Sequence, residues 1–384
     1  MTGTSMDAVD AVLVDISTNT TQSSQSGDGP NEFKVIAMHS HPYPSDLKDA
    51  VLSICQGQQT TLRTLGEIDH RLAILFADAV NALLSKANVK PSDVKAIGCH
   101  GQTVWHQPTD TQYPFTMQIG DNNIVAERTS INVVGDFRRR DMACGGQGAP
   151  LVPIFHSRVL ANDNELRIVV NIGGISNFTV LHPGEPVVGY DTGPGNILLD
   201  AWINQCTGET FDKDGVFASQ GTTNQQLLRQ MIESTSYFGR SPPKSTGREQ
   251  FNLEWLHGQL DKFNQQHSNT ITLSPNDVQS TLVDLTVESI ASHVDLHGGC
   301  DRLLVCGGGA RNQLIMDRLE ERMPNAVVEP TSSVGVDGDA IECLAFAYLA
   351  YLHVNHMSGN VPSVTGATKS TILGAMYPKW SPSH

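Results

Sequence analysis

The chain has 384 residues, 39% hydrophobic and 17% charged, with a net charge of −15. That is a globular composition, too long for one ordinary core and so expected to form two domains, and its acidity excludes nucleic acid or an anionic membrane as the main partner. No apolar run approaches the roughly 20 residues of a membrane span, the start lacks a signal-peptide pattern, and the seven cysteines show no C-x-x-C pair, which together read as a reduced, cytoplasmic protein.

In chain order, Gly3, Thr4, Ser5, Met6 and Asp7 form a turn of hydroxyls, N–H groups and a carboxylate ahead of a strand over 8–16. Such a turn suits a nucleotide phosphate with Mg²⁺, and equally an ordinary hairpin. Residues 17–31 are a polar, Ser/Thr/Gln/Gly-rich loop. A strand over 33–38 and a short helix over 47–55 follow. Leu65, Ile68, Leu72, Phe76, Ala79 and Leu83 mark one stripe of a long helix. A strand from Val94 ends in a polar turn with His100, Gln102 and Thr103. Strands over 115–119 and 131–134 flank a helix over 122–128.

Asp136, Arg138, Arg139, Arg140 and Asp141 then follow the last strand directly. Read as extended chain, neighbouring arginines point in opposite directions, so at least one pairs with Asp136 or Asp141 in solvent. A glycine loop, Gly145 to Pro150, leads into a helix.

The central stretch runs from Arg167 to Trp202. Its first part is an apolar, β-branched strand broken by Gly173 and Gly174. After a turn at Pro183-Gly184, a shorter strand ends on Asp191, followed by a turn of Thr192, Gly193, Pro194, Gly195 and Asn196 and a helix over 197–206. A carboxylate delivered to a glycine turn at a helix start is a phosphate-handling device, because glycine admits close approach and helix-start N–H groups favour negative charge. The same glycines also satisfy a plain turn.

Residues 207–275 are polar, helical and loop-rich. Within them the segment 241–249 has a stiff Pro-Pro start and reads as a linker or a substrate edge. A helix around Val278 to Val294 precedes a strand from Arg302, a turn of Gly307, Gly308 and Gly309, and Asn312 at the next helix. This turn is a second place where a backbone can lie flat against a ligand. The chain has neither G-x-G-x-x-G nor a Walker motif. A strand over 326–329 leads to a helix over 339–354 with Glu342 in its first turn, either a cap or a site acid.

Taken together and in order, these motifs resemble those of anhydro-N-acetylmuramic acid kinases, within the actin, sugar kinase and heat-shock ATPase superfamily. The resemblance rests on residues 3–10, 100–103, 135–138, 145–151, 171–177, 189–196, 243–249, 307–312 and 362–367, and it covers essentially the whole chain. It implies an α/β protein of two actin-like, ribonuclease H-like domains with an interdomain active-site cleft. The N-terminal domain would span 1–134, rejoined by 358–384, and the C-terminal domain 135–357.

The resemblance implies Asp191 as catalytic base, with Glu342 as a second acid. It implies ATP contacts at Gly3, Thr4, Ser5, Met6, Asp7, Ala8, Val9, Asp10, Gly173, Gly174, Gly193, Gly307, Gly308, Gly309 and Asn312. It further implies sugar contacts at His100, Gln102, Thr103, Asp136 and Arg138, Mg²⁺ at Asp7, and a homodimer. The reaction implied opens 1,6-anhydro-N-acetylmuramic acid with water at C1 and phosphorylates O6 from ATP, in cell-wall recycling. A kinase of an ordinary reducing sugar, or a non-catalytic ATP-binding regulator of the same fold, would share these residues. The resemblance also implies a hydrophobic strand before the Gly3 turn. Only Met1 and Thr2 precede it here, so that strand is expected to be missing and the N-terminal sheet weakened.

Overall fold

The computed structural model describes residues 1–2, 6, 8–17, 32–109, 111–242, 244–267 and 272–380. Gly3, Thr4, Ser5 and Asp7, and all but the first residue of the 17–31 loop, lie outside the described residues. The chain divides into two compact units, Met1–Phe155 with Ala340–His384, and His156–Asp339. The helix carrying Glu342 thus packs with the first unit, whereas the division at 135 and 357 placed it in the second.

The first unit opens with the antiparallel pair β1 (Ala8–Ser17) and β2 (Glu32–Pro42). Helices α1 (Ser45–Cys55) and α2 (Leu62–Ala87) follow. α2 is bounded by chemistry legible in the sequence: the Thr61 hydroxyl accepts from the Thr64 N–H at 3.1 Å, and Asn88 ends it in the left-handed region at φ 53°. Its stripe from Ile68 to Ala79 is buried in one core with Val9, Leu47 and Val125.

The strand expected from Val94 is only β3 (Ile97–Gly98). Residues after His100 form β4 (Gln102–Gln107), which pairs with β5 (Phe115–Ile119) as a separate hairpin, where a turn was expected. α3 (Asn122–Thr129), β6 (Val133–Gly135) and α4 (Phe137–Ala143) complete this stretch. The unit boundary falls within α5 (Pro153–Val159).

The second unit is built on β7 (Arg167–Ile172), β8 (Ile175–Leu181) and β9 (Val188–Pro194). The apolar run read as one broken strand is two strands, folded back at Gly173-Gly174. β9 continues past Asp191 to Pro194. Then come α6 (Ile197–Thr207), α7 (Val216–Ser219), α8 (Gln225–Glu233), α9 (Leu253–His267), α10 (Pro275–Leu296), β10 (Arg302–Cys306), α11 (Gln313–Arg322) and β11 (Val327–Pro330).

The sheet order is β11-β10-β7-β8-β9, with β7, β10 and β11 parallel and β8 antiparallel to both neighbours. This is the ribonuclease H-like arrangement that the resemblance implies. Ile168, Val170 and Ile172 point into a core completed by Leu282, Leu285 and Ile290 of α10 and Ile315 of α11. Burial of each such side chain contributes about 1.5–3 kcal/mol. A capping box between Ser274 and Asp277 starts α10.

The chain then returns to the first unit with α12 (Ile341–Val354), α13 (Pro362–Thr365) and β12 (Ala375–Tyr377). β12 pairs with β6, and β6 with β3, so the strands of this unit fall into separate sheets. A cavity of about 760 Å³ lies between β1 and β3, lined by Val12, Val14 and Ile16 of β1, Ala79 and Leu83 of α2, and Phe346 and Ala350 of α12.

Candidate active site

Asp191 sits on β9, opposite Asn177 of β8. The next β9 residue, Thr192, is skipped in the register, since Ser176 pairs with Gly193. This is a bulge, a device that re-aims the adjoining side chain. The Thr192 hydroxyl donates to the Ser176 carbonyl at 3.3 Å and holds it.

Three bonds fix Asp191. Its N–H donates to the Lys244 carbonyl at 3.2 Å, its carbonyl accepts from the Tyr237 hydroxyl at 2.7 Å, and its carboxylate accepts from the Thr246 N–H at 3.1 Å. Burial pushes its pKa up to about 6. The Thr246 N–H and Lys244 pull it down, and Glu249 pushes it further up. Within the segment 241–249, Lys244 and Thr246 therefore form the wall that holds this acid.

Cys306, Asn171, Asn177 and Asp191 form one row across β10, β7, β8 and β9. Strands lie about 4.8 Å apart, so Asp191 is about 10 Å across the sheet from Asn171. The two glycine turns follow β7 and β10, parallel neighbours, at the strand ends where open α/β sheets take ligands.

The glycines of these turns do different work. Gly173, Gly174 and Gly308 have nothing but ordinary contacts where a side chain would project, so their backbone is open. Gly309 is packed on Ile172, and Gly307, at φ +78°, on Asn171. Gly193 lies against Phe238, 2.9 Å from where its Cβ would stand, and Ser289, which makes it a packing glycine. The Asn312 side chain caps α11 through the Ile315 N–H at 3.3 Å.

The start of α6 differs from expectation. The N–H groups of Gly195, Asn196 and Ile197 already donate to the Gly174, Gly173 and Gly174 carbonyls at 2.9, 2.8 and 3.1 Å. These three N–H groups are therefore committed to the turn between β7 and β8 and are not free for a phosphate.

In the first unit, Arg138 to Arg140 lie on α4 and not on an extended chain. A helix turns successive side chains by about 100°, so Arg138 is half-buried while Arg139 and Arg140 are exposed. Arg138 donates through Nε and Nη2 to His100 Nε2, at 3.1 and 2.9 Å, and through Nη1 to the Gly148 carbonyl at 2.8 Å. His100 Nδ1 lies 2.8 Å from the Gly101 carbonyl, to which it donates. Burial, then Arg138, holds the His100 pKa well down, so the ring is neutral. Burial draws Arg138 to about 10, against the pull of Glu342.

Glu342 makes no side-chain capping bond at the start of α12. Burial raises its pKa, the N-terminal ammonium and Arg138 lower it, and Asp10 adds to the rise. Gln102 is buried and Thr103 half-buried on β4, where Thr103 accepts from Gln118 at 3.2 Å. Asp136, in the left-handed region at φ 55°, pairs with Arg139 at 3.4 Å. Met6 and Val9 are buried in the core of this unit, and Ala8 is half-buried on β1, so none of these three presents a side chain suited to a nucleotide. Asp10 accepts from the Ser40 hydroxyl at 2.7 Å.

Asp141 does not pair with the arginines. It is fully buried and accepts from the Gly148 N–H, the Thr365 hydroxyl and Asn360 at 2.8, 2.8 and 2.9 Å. It therefore joins the 145–150 and 362–367 motifs and, through Gly148, supports Arg138. A lone acid gave no sequence signal for this role.

A family model described as anhydro-N-acetylmuramic acid kinase matches residues 1–379. Among solved structures, the chain is similar to the activator of the 2-hydroxyisocaproyl-CoA dehydratase from Clostridium difficile with bound ADPNP, at 10% identity and a TM-score of 0.41, over 84% of this chain and 88% of that one.

Proposed function

The chain belongs to the anhydro-N-acetylmuramic acid kinase family and is an ATP-dependent phosphotransferase of peptidoglycan recycling, and from that premise we propose that Asp191 is the general base of a hydrolytic phosphorylation. A water oxygen attacks C1 of 1,6-anhydro-N-acetylmuramic acid and gives its proton to Asp191. The C1–O6 bond breaks, O6 attacks the γ-phosphorus, and the bond to the β-phosphate oxygen breaks to release ADP. The products are N-acetylmuramic acid 6-phosphate and ADP.

The observation that carries this reading is the state of Asp191. It is held by its N–H, its carbonyl and its carboxylate beside a bulge, with a pKa raised to about 6. A base near the operating pH is ionised at neutrality and still binds a proton well.

The open backbone of Gly173, Gly174 and Gly308 fits the role of phosphate cradle, since phosphoryl transfer depends on positioning and charge neutralisation. Arg138, oriented by neutral His100, is the better sugar contact of the three arginines, with Gln102 and Thr103 beside that segment in sequence. Glu342 is the second acid of this reading.

For Mg²⁺, the donor chemistry is compatible. The ion takes one or two carboxylates and completes its shell with water and phosphate oxygens, and Asp10 is such a carboxylate. Asp7 lies outside the described residues. Bound there, Mg²⁺ would neutralise charge on the β- and γ-phosphates. The reading also includes a cytoplasmic homodimer, which size-exclusion chromatography with light scattering tests. No helix among the described residues is long and apolar enough to cross a membrane.

Single-turnover kinetics of Asp191→Asn test the base. The expected loss is roughly 10²–10⁴-fold in rate with ATP affinity little changed. A rate near wild type would move the base elsewhere, with Glu342→Gln the next variant to measure.

A further inference from the structure

Lys244 is a buried cation, unusual for its residue type. Its Nζ donates to the Tyr237 carbonyl at 3.1 Å and lies 2.9 Å from His293 Nε2, with the Phe238 carbonyl at 3.4 Å. It also stands 4.5 Å from the centre of the Tyr237 ring. His293, on α10, is itself buried, and its Nδ1 has no hydrogen-bond partner.

Each of these contacts leads back to Asp191. The Lys244 carbonyl takes the Asp191 N–H, Thr246 two residues on donates to the Asp191 carboxylate, and the Tyr237 hydroxyl donates to the Asp191 carbonyl. The ammonium therefore fastens the strip 244–246 to the turn at Tyr237-Phe238 and to α10, and both the strip and the turn bond to Asp191 on β9.

We propose that Lys244 is a positioning residue for Asp191, its buried ammonium pinning the 244–246 strip across β9 and keeping a positive charge beside the carboxylate. The proposal deepens the reading of Asp191 as base and rests on it.

An apolar side chain of similar shape would fill the same space without the cost of burying a charge. Filling space alone gives no reason for a lysine here, whereas bonding to the Tyr237 and Phe238 carbonyls and tuning of the acid do. The groups facing this region are Asp191 and Tyr190 from β9, Tyr237, Arg240 and Glu249 from the 237–249 segment, His293 from α10 and His297 just after it. Burial, Arg240 and Asp191 together set Lys244 at about 8, the first two lowering it and Asp191 raising it, so it carries its charge at neutral pH. Burial, Lys244 and His297 draw His293 down to about 4, so the ring is neutral and able to accept from the ammonium.

The test is the pH profile of kcat, with 1,6-anhydro-N-acetylmuramic acid and ATP-Mg²⁺ as substrates. In Lys244→Met the acid limb should move up by roughly one pH unit, because an opposite charge has left the carboxylate, while KM for ATP changes less than about twofold. His293→Gln keeps an acceptor for the ammonium and should leave the limb in place. An unmoved limb in Lys244→Met would overturn the proposal, as would an equal shift in His293→Gln. Should Lys244→Met not fold, His293→Leu removes the acceptor and keeps the charge. Amide exchange at Asp191 and Thr246 should then speed up about tenfold or more, and unchanged exchange would overturn the anchor. A full rate in Asp191→Asn would retire the base alone and leave the exchange result standing.

Discussion

Thr246 donates its backbone N–H to the Asp191 carboxylate at 3.1 Å, yet burial still carries that acid up to about 6. The folded chain thus binds this proton more tightly than the unfolded chain, whose value is about 3.9. Stability contributed by the neutral acid is present below about pH 4 and is lost as pH rises through about 6. Asn carries no charge and keeps an oxygen for Thr246. Asp191→Asn should therefore be more stable than wild type at pH 7.5, by up to about 3 kcal/mol, and about equal to it at pH 4. Urea unfolding at the two pH values measures this. A variant less stable at both would mean that the carboxylate is not the strained group described here.

Gly308 and Gly309 are neighbours with opposite roles. A methyl at Gly308 meets only an ordinary contact with Asn196 at 3.5 Å, whereas one at Gly309 runs into Ile172. Gly308→Ala should weaken ATP at least about tenfold, a loss of about 1.4 kcal/mol, with little change in melting temperature. Gly309→Ala should lower the melting temperature through overpacking of about 1–3 kcal/mol. Calorimetric titration and thermal melting of both variants check the pair. Unchanged ATP binding in Gly308→Ala would remove that turn from the phosphate cradle.

The distinction between these two glycines lies beyond sequence reading, as do several other features. The motif at 307–309 marks a close approach, but which residue packs inward depends on β7, more than a hundred positions earlier. The Ile168-Val169-Val170 run marked a strand. Its fold-back at Gly173-Gly174 was hidden because β7 and β8 are both buried along most of their length, polar Ser176 and Thr179 included, and a hairpin buried on both faces loses the alternation that would separate them. Arg138 to Arg140 were read as extended because the four charged residues Arg138 to Asp141 show no helical stripe. The helix is set instead by Phe137, buried, and by Asp141, whose partners at 360 and 365 are distant in sequence. Lys244 lay within a segment singled out for its motif, but its partner His293 is 49 residues away and carries no local signal.

The cavity beside β1 gives a further expectation. Met1 and Asp10 exchange two hydrogen bonds, the ammonium to the Asp10 carbonyl at 2.7 Å and the Asp10 N–H to the Met1 carbonyl at 2.9 Å. That is the hydrogen-bonded pair of an antiparallel ladder. Residues added before Met1 would run along β1 toward Ser17, into the space between β1 and β3. With α2 and α12 both lining it, an apolar run suits the space, as in other strands covered by helices. An added segment of about 5–6 Val, Ile and Leu residues should raise the melting temperature by at least about 5 °C over a Gly/Ser extension of equal length. Equal melting would mean that the cavity does not accept a strand.

The central claim is that water enters at C1 while phosphate goes to O6. Mass spectrometry of the product formed from 1,6-anhydro-N-acetylmuramic acid and ATP-Mg²⁺ in ¹⁸O water tests it most directly. The account predicts one labelled oxygen, located at C1 by fragmentation, and an unlabelled phosphate ester on O6. A product without label in the sugar, or with its phosphate on another oxygen, would contradict it.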